Sequence, residues 1–236
     1  MKHLIISIIA LITVNNAFSN DLKTADSLFA EKKYTESFEI YKNLHEEKRL
    51  MSPAMFLKMA YIKEGLGGYS DALYYLNLYY LKTADKKVLS KMESLAEKKD
   101  LRGYNNTDYE FIQTIFFKYQ NQIILLIISL SILCLAIGYY LKFKKESSPS
   151  FALVSMVLFL AIAFYVINFG KAYNKAIISK SNAYLMSGPS AASEVVKIVK
   201  KGNRVNTLGQ TDVWTKVEIG TTSGYVKTSK LKEISL

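Results

Sequence analysis

The sequence has almost none of the side chains that enzymes commonly use for nucleophilic or metal chemistry. It contains one cysteine, Cys134, and two histidines, His3 and His45. His45 lies in the charged helical stretch Leu44–Arg49 and is expected to be a solvated surface histidine. A single cysteine cannot form a disulfide within the chain, and zinc sites or serine–histidine and cysteine–histidine pairs lack their components. Catalysis by carboxylates alone is not excluded, but no acidic pair lies in an apolar setting and no glycine-rich phosphate motif is present. We therefore expect a protein that is not an enzyme and holds no cofactor or metal.

Two long uncharged runs divide the chain. Ile123–Leu141 and Phe151–Phe169 each have nineteen residues, and as helices each would be about 28 Å long, close to the ~30 Å hydrocarbon core of a bilayer. Backbone groups inside lipid are satisfied only within a helix or a closed barrel, so the pair is predicted to form a transmembrane hairpin. Its loop, Lys142–Ser150, is too short to fold. The parts before and after the hairpin must then face the same side of the membrane.

The N-terminus indicates which side this is. Residues 1–19 combine a basic start, the apolar stretch Leu4–Val14 and the small residues Ala17 and Ser19, which is the pattern of a secretory signal peptide cleaved after Ser19. An uncleaved anchor is the alternative. Export places the loop Lys142–Ser150 in the cytoplasm, in agreement with its three lysines. We expect an inner (cytoplasmic) membrane protein with both soluble domains on the periplasmic, outer side.

The positive charge is concentrated at the C-terminal end. Residues 20–121 carry 16 basic and 15 acidic side chains, whereas residues 171–236 carry 11 basic and 4 acidic ones, out of a net charge of +11 for the chain. Beside a bilayer this charge could attract anionic headgroups, cell-wall polymers or an acidic partner; a basic domain that is simply soluble is the alternative. Nucleic acid is not an expected partner, because the outer side of the membrane offers none.

Residues 20–101 are predicted to be helical throughout. Apolar residues recur at intervals of three and four, which predicts these helices: Asp21–Glu31, Tyr34–Glu47, Ser52–Leu66, Tyr69–Lys82 and Asp85–Lys99. A repeat of 35 residues relates Ala25 to Ala60, Tyr34 to Tyr69, Ser37 to Ala72 and Tyr41 to Leu76.

These helices resemble the tetratricopeptide repeat. Gly67–Ala72 is similar to the turn between the two helices of that repeat, and Lys32–Ser37 is a degraded copy in which Lys32 replaces the turn glycine. The resemblance implies a concave face that receives a partner segment. The residues it implies for this partner-binding groove are Asp26, Phe29, Leu57, Tyr61 and Glu64. The pair Tyr74–Tyr75 could form a second partner surface or pack between helices.

A connector precedes the first span. Thr107 and Glu110 fit a capping box that opens a helix, and the aromatic residues that follow suit the headgroup region of a bilayer. We predict an interfacial connector helix over residues 102–122.

The C-terminal part has the pattern of a small all-β domain. After a linker over residues 170–181, short β-rich runs alternate with glycine-containing breaks over residues 182–236. The predicted strands are Ala183–Met186, Arg204–Leu208, Trp214–Ile219 and Ser223–Lys227. About 55 residues of this kind predict a closed barrel, and the alternation through Trp214, Val217 and Ile219 predicts a strand with one face on the core.

This part resembles the bacterial SH3-type domain. Ser187–Ser190, Lys201–Gly202, Trp214–Val217 and Gly224–Val226 follow the order and spacing of that family, while Met186 replaces the usual arginine. The resemblance implies binding of cell-wall peptides or protein segments through aromatic side chains. The candidates are Tyr184, Trp214 and Tyr225, and for Trp214 and Tyr225 a role in the core is the alternative.

The order of the parts resembles the BatE family of Bat aerotolerance operons. The expected fold is a multidomain membrane protein, with all-α tetratricopeptide-like repeats, an α-helical transmembrane hairpin and a small all-β SH3-like barrel. The resemblance implies a non-enzymatic scaffold in an envelope complex linked to stress or oxygen tolerance, with membrane-anchored von Willebrand A-domain proteins as partners. Direct contact with the accompanying MoxR-type ATPase is not expected, because a nine-residue loop cannot supply the ~800 Å² of a standard interface. A membrane-tethered peptidoglycan-binding or sensing protein is the alternative function.

Overall fold

The computed structural model describes residues 20–105, 107–144, 148–169 and 173–235. The predicted signal peptide, residues 1–19, lies outside the described residues. The chain divides into two compact units. The first comprises the described parts of Met1–Tyr80, Asp85–Asn105 and Lys175–Leu236, and the second comprises the described parts of Leu81–Ala84 and Asn106–Asn174.

The N-terminal segment is helical, as predicted. Its helices are α1 (residues 20–30), α2 (Tyr34–Glu46), α3 (Pro53–Gly65), α4 (Tyr69–Thr83) and α5 (Lys86–Lys98). Helix α3 begins with proline at a position where the missing N–H has no intrahelical partner to lose. Helix α5 is capped by the Asp85 carboxylate, which accepts a hydrogen bond from the Lys87 N–H at 2.9 Å.

Small residues lie where the first helices approach each other closely. Ala25 and Ser37 are fully buried, and the Ser37 hydroxyl donates to the Ala25 carbonyl oxygen at 2.8 Å. Ala60 and Ala72, which align with them in the 35-residue repeat, are buried too. This burial is what close packing of a repeated helix pair requires.

The second unit contains two long apolar helices. They are α6 (Asp108–Lys144) and α7 (Ser150–Phe169), and both have the length and the mean hydropathy, 2.5, of candidate membrane spans. The predicted connector and the first predicted span thus form one continuous helix. The predicted helix start is confirmed, because the helix begins at Asp108 and the Thr107 hydroxyl accepts a hydrogen bond from the Glu110 N–H at 3.3 Å. The helical part of the connector is therefore shorter than the predicted range 102–122.

The two apolar helices contact each other through small and polar residues. Gln120 donates through its side-chain amide to the Val166 carbonyl oxygen at 3.2 Å, and the Ser131 hydroxyl to that of Met156 at 3.5 Å. A Cβ added at Gly138 would lie 3.5 Å from the Ala152 Cβ. Close approach at small residues and hydrogen bonds between helices are the main sources of helix association in lipid.

The C-terminal segment forms an antiparallel sheet, as predicted. Its strands are β1 (Lys175–Ile178), β2 (Ala183–Met186), β3 (Val195–Val199), β4 (Arg204–Thr211), β5 (Trp214–Ile219), β6 (Thr222–Lys227) and β7 (Leu231–Glu233). Their order in the sheet is β3-β2-β6-β5-β4-β1-β7, with every pairing antiparallel. Strand β1 lies inside the predicted linker, so the sheet begins before residue 182.

The sheet has a compact aliphatic core. Val217 and Ile219 belong to it, but Trp214 does not share their face, contrary to the prediction. Successive side chains of a strand point to opposite faces of the sheet. Trp214 therefore lies on the same face as Lys216, and Val217 and Ile219 lie on the opposite face. The core residues are Ala176, Ile178, Ala183, Leu185, Val199, Val205, Val217, Ile219 and Val226.

The helices and the sheet of the first unit meet at a buried arginine. Arg204, the first residue of β4, is 2% exposed. Its Nε donates to the Gly103 carbonyl oxygen at 2.6 Å and its Nη1 to the Asn77 side-chain oxygen at 3.1 Å. The guanidinium also lies 5.1 Å from the ring centroid of Tyr104, within the range of a cation–π interaction.

Backbone hydrogen bonds extend this contact along the segment that follows α5. The Arg204 N–H donates to the Arg102 carbonyl oxygen at 3.0 Å, and the Tyr104 hydroxyl donates to that of Gly202 at 2.7 Å. The Ser70 hydroxyl, on α4, donates to the Ile178 carbonyl oxygen at 3.2 Å. Chain segments that precede and follow the apolar helix pair therefore form one folded body.

Substitution of Gly103 tests this contact. Gly103 has φ +91°, and an added Cβ would overlap the Arg204 carbonyl oxygen. We expect Gly103→Ala to cost about 1–2 kcal/mol for the left-handed backbone and about 1–3 kcal/mol more for the overlap. The first measurement is the thermal unfolding midpoint of the full chain in nanodiscs. The second is the rate at which limited proteolysis cleaves the segment that follows residue 100.

Gly67→Ala is the matched control. Gly67 also has positive φ, +77°, but a Cβ there would meet nothing within 4 Å, so only the backbone cost applies. Equal shifts in the unfolding midpoint for the two variants would show that residue 103 does not hold the helices against the sheet.

Candidate binding sites

The first unit contains an open cleft on its helices, here called the helical cleft. Its volume is about 460 Å³. Side chains from α2, α3 and α5 and from the turn after α3 form its walls. The lining residues are Tyr34, Tyr61, Ile62, Glu64, Gly65, Leu66 and Lys91.

Three aromatic rings meet at one side of the helical cleft. Phe29, Tyr34 and Tyr61 come from α1, the start of α2 and α3. Phe29 lies 5.5 Å from Tyr34 and 5.8 Å from Tyr61, and Tyr34 lies 5.8 Å from Tyr61, between ring centroids and in edge-to-face geometry. Edge-to-face packing is a favoured arrangement of aromatic rings, so the wall is held in place, yet Tyr61 stays 58% exposed.

The carboxylates predicted for the groove are already engaged. Asp26 accepts a hydrogen bond from the Tyr41 hydroxyl at 2.5 Å and one from the Lys58 ammonium at 2.7 Å. Burial, together with Asp26, raises the pKa of Tyr41 above its ordinary range. Glu64 lies on the cleft wall and forms an ion pair with Lys91 at 2.7 Å. Asp26 thus joins three helices, whereas Glu64 and Lys91 give the cleft a polar rim.

The sequence therefore pointed to part of this cleft. Among the predicted groove residues, the structure brings together Phe29, Tyr61 and Glu64. Leu57 is exposed but does not line the cleft, and Asp26 does not line it either. Tyr34, Leu66 and Lys91 were missed, because they lie on other helices or on a turn, outside the helices from which the repeat pattern draws its groove.

The Tyr74–Tyr75 pair packs inside the first unit and is not a free surface. Both side chains are buried, and the Lys232 ammonium lies 3.9 Å from the Tyr74 ring centroid and 5.1 Å from that of Tyr75. Burial raises the pKa of Tyr74 to about 12 and lowers the pKa of Lys232. These residues attach the sheet to α4.

His45 also differs from its predicted setting. The sequence predicts a solvated surface histidine, but the ring is half-buried and packs edge-on against Phe56 at 5.0 Å between centroids. Burial lowers its pKa. The charged residues around His45 give no sign of this burial in the sequence, because it depends on the side of α2 that packs against α3.

A second site, the sheet pocket, lies on the C-terminal domain. It has a volume of about 270 Å³ and is formed by residues of β2, β3, β5 and β6 with their adjoining loops. The lining residues are Asn182, Tyr184, Met186, Ala191, Val195, Trp214, Lys227 and Lys230.

Two predicted ligand-binding aromatics, Tyr184 and Trp214, meet in this pocket. Tyr184 is 47% exposed, whereas Trp214 is largely buried, and both side chains line the pocket. Trp214 pairs with Lys227 across β5 and β6, and the Lys227 ammonium lies 5.7 Å from the indole centroid. Tyr225, the third candidate, is half-buried and does not line the pocket.

The composition of both sites is suited to binding. Aromatic and aliphatic walls with charged residues at the rim are typical of surfaces that hold a peptide or another flexible ligand. Within residues 20–105, 107–144, 148–169 and 173–235, no three His, Cys, Asp or Glu side chains are grouped as metal ligands. The expectation that the protein is not an enzyme stays a prediction.

Comparison with known families identifies one part of the chain. No curated protein matches the chain. Residues 181–232, however, match the family model of the bacterial SH3 domain, and this range contains β2 to β6 and the sheet pocket. Residues 181–232 are therefore a bacterial SH3 domain, which β1 extends on its N-terminal side.

Proposed function

We propose that the protein is a non-enzymatic, membrane-anchored scaffold that binds partner proteins in a cell-envelope complex. The observation that carries this proposal is the interlocked first unit, in which a helical cleft and a bacterial SH3 domain belong to one body. Arg204 and its neighbours hold that body together. Its two clefts both have aromatic and aliphatic walls, but their rims differ in charge. The helical cleft carries the Glu64–Lys91 ion pair, whereas the sheet pocket carries two lysines, so the clefts are suited to two different segments.

The topology supports a role outside the cytoplasm. The first unit is built from segments on both sides of the helix pair in sequence, and a folded body cannot extend through the bilayer. If α6 and α7 span the membrane, the N-terminal helices α1 to α5 and the SH3 domain therefore lie on the same side of it. The signal peptide expected over residues 1–19 makes this the outer side of the inner membrane.

The order of the parts suggests which complex this is. Helices with a 35-residue repeat, two apolar helices and a terminal SH3 domain follow the order expected of the BatE family. On this basis we propose partners among membrane-anchored von Willebrand A-domain proteins and a role in stress or oxygen tolerance. The helical cleft, with its rigid aromatic wall, is the proposed site for the partner.

Binding of the cell wall is the second candidate function. Bacterial SH3 domains are consistent with either cell-wall binding or protein interaction, and here the domain carries an aromatic pocket with Lys227 and Lys230 at its rim. Sedimentation of the full chain in nanodiscs with purified peptidoglycan separates the two functions. A scaffold stays in solution, and a wall-binding protein moves to the pellet.

The helical cleft can be tested by co-purification. Tyr61→Ala removes one ring of the aromatic wall and Leu66→Glu introduces a charge at the cleft, and both residues are exposed, so the fold should persist. We expect each variant to reduce recovery of von Willebrand A-domain proteins at least tenfold, because a few central aromatic and apolar residues dominate the energy of most interfaces. The measurement is quantitative mass spectrometry after purification in mild detergent.

Leu208→Glu is the control for this experiment. Leu208 is an exposed leucine on β4, with 54% of its surface accessible against 61% for Leu66. Its substitution should leave recovery unchanged. Undiminished recovery with all three variants would exclude the helical cleft as the partner site.

The topology is tested with single cysteines. In a Cys134→Ser background, Ser181→Cys should react with a membrane-impermeant maleimide on spheroplasts, because it lies on the outer side. Ser148→Cys should react only after lysis. Both serines are exposed, so burial does not limit the reaction. Labelling of Ser148→Cys alone on intact spheroplasts would reverse the proposed orientation.

The loop between the helices gives a further prediction. Exchange of Lys142–Ser150 for glycine and serine at equal length should leave the complex assembled, since this segment is too small for a standard interface. Co-purification of the von Willebrand A-domain partners is the measurement. Loss of those partners, with normal membrane insertion of the protein, would show that the loop is itself a contact site.

A further inference from the structure

We propose that the SH3 domain binds an extended acidic peptide segment of a partner protein, which adds as a strand to the edge of β3 and places its carboxylates on Lys227 and Lys230. This inference rests on the proposed function of the SH3 domain as a binding module and specifies its ligand. It rests on an exposed strand edge, on a pocket continuous with that edge, and on the charge around the pocket.

The first observation is the exposed edge of the sheet. Strand β3 is the last strand on its side of the sheet order, and among the residues that the structure describes it pairs with β2 alone. Edge strands are usually protected by charged residues, proline or a covering segment. Strand β3 carries one charged residue, Lys197, but its Val195, Val196 and Ile198 are 49%, 46% and 65% exposed. An apolar edge of this kind is a template for strand addition.

The second observation is that the pocket continues from this edge. Val195 belongs to β3 and also lines the sheet pocket, while Ile198 pairs with Tyr184 across β2 and β3. Met186 and Trp214 extend the apolar surface inward from there. Alternate side chains of an added strand point to the same face of the sheet, so every second residue of the peptide would lie on the face that carries the pocket, beside Val195 and Ile198.

The third observation is the sign of the charge. Lys227 and Lys230 line the pocket, and none of its described lining residues is acidic. The Lys230 ammonium donates one hydrogen bond to the Ser181 carbonyl oxygen at 3.1 Å, and an ammonium group has three donors. The rim is therefore complementary to carboxylates.

Three other basic residues of the C-terminal segment are used inside the first unit. Lys200 donates to the Lys99 carbonyl oxygen at 2.8 Å, Arg204 is buried against α4 and the segment after α5, and Lys232 lies over the Tyr74 ring. These side chains hold the helices and the sheet together. The pocket lysines are thus distinguished from them by facing a cleft.

A strand-forming protein segment fits these observations better than the cell wall does. Wall peptides contain D-residues, whose backbone conformations are mirror images of those of the L-residues in the sheet, so they cannot extend its ladder regularly. An acidic L-peptide satisfies the edge hydrogen bonds and the lysines together. Binding of peptidoglycan in its place is an outcome of the experiment below.

The probe is a fluorescein-labelled octapeptide of alternating valine and glutamate, titrated with the full chain in nanodiscs and followed by fluorescence anisotropy. Two matched peptides serve as controls, one with lysine in place of glutamate and one N-methylated at alternate residues, which removes strand hydrogen bonds. We expect the valine–glutamate peptide to bind at least tenfold more tightly than either control, and its affinity to fall with salt because the charges are exposed.

Charge-reversal variants test whether the pocket lysines bind the peptide, and melting curves show whether each variant is folded. Lys227→Glu combined with Lys230→Glu should weaken binding of the valine–glutamate peptide at least tenfold. Lys201→Glu should change it less than twofold, because Lys201 is exposed and lies outside the pocket. Circular dichroism melting curves confirm that each variant is folded, and the comparison of the three peptides on the unmodified protein does not depend on any variant.

Each contrary result would overturn a particular part of the proposal. Equal binding of the N-methylated peptide would exclude strand addition, and equal binding of the lysine peptide would exclude carboxylate recognition. No binding of the valine–glutamate peptide, with sedimentation on peptidoglycan, would overturn this inference and leave the SH3 domain as a wall-binding module. Failure of both, together with no recovered partner protein, would overturn the proposed function itself.

Discussion

The first unit depends on removing the Arg204 guanidinium from water without losing its hydrogen bonds. A buried charge costs several kcal/mol unless it is well hydrogen-bonded. Its partners here are the Gly103 carbonyl oxygen, the Asn77 side chain and the Tyr104 ring. These groups belong to α4 and to the segment after α5, while Arg204 belongs to the sheet. Neither part can satisfy these groups alone, so the helices and the SH3 domain stabilise each other.

This mutual dependence sets the geometry in which ligands would be bound. The helical cleft and the sheet pocket are on one folded body, and the contacts of Lys200 and Lys232 restrict rotation of the sheet on the helices. Two segments bound at these sites would be held at a fixed separation. A flexible linker between two binding domains would instead allow a range of separations, so here the scaffold itself would position its ligands.

Local patterns in the sequence predicted most elements of the fold. Apolar spacing located α2 to α5 within about two residues at each end, and the β2 and β5 bounds were predicted as observed. Strands β1, β3 and β7 were missed, because each lacks a clear alternation of buried and exposed residues. Strand β1 is buried at every position, β3 is exposed or half-exposed at all positions but its last, and β7 has only three residues. Tyr184 and Trp214 line the sheet pocket, whereas Tyr225 does not, because its position depends on strand register. The role of Arg204 was invisible in the sequence, since its partner Asn77 lies 127 residues away.

That long separation has a consequence for biosynthesis. Asn77, Tyr74 and Tyr75 are translated well before Arg204 and Lys232, and both apolar helices are translated in between. During this interval the aromatic face of α4 has no sheet to cover it, and a partly folded helical segment with exposed apolar surface is a substrate for chaperones and proteases. Closure of the first unit then requires that the chain has been made through Lys232, including both apolar helices. The fold thereby distinguishes a chain that contains the sheet from one truncated before it.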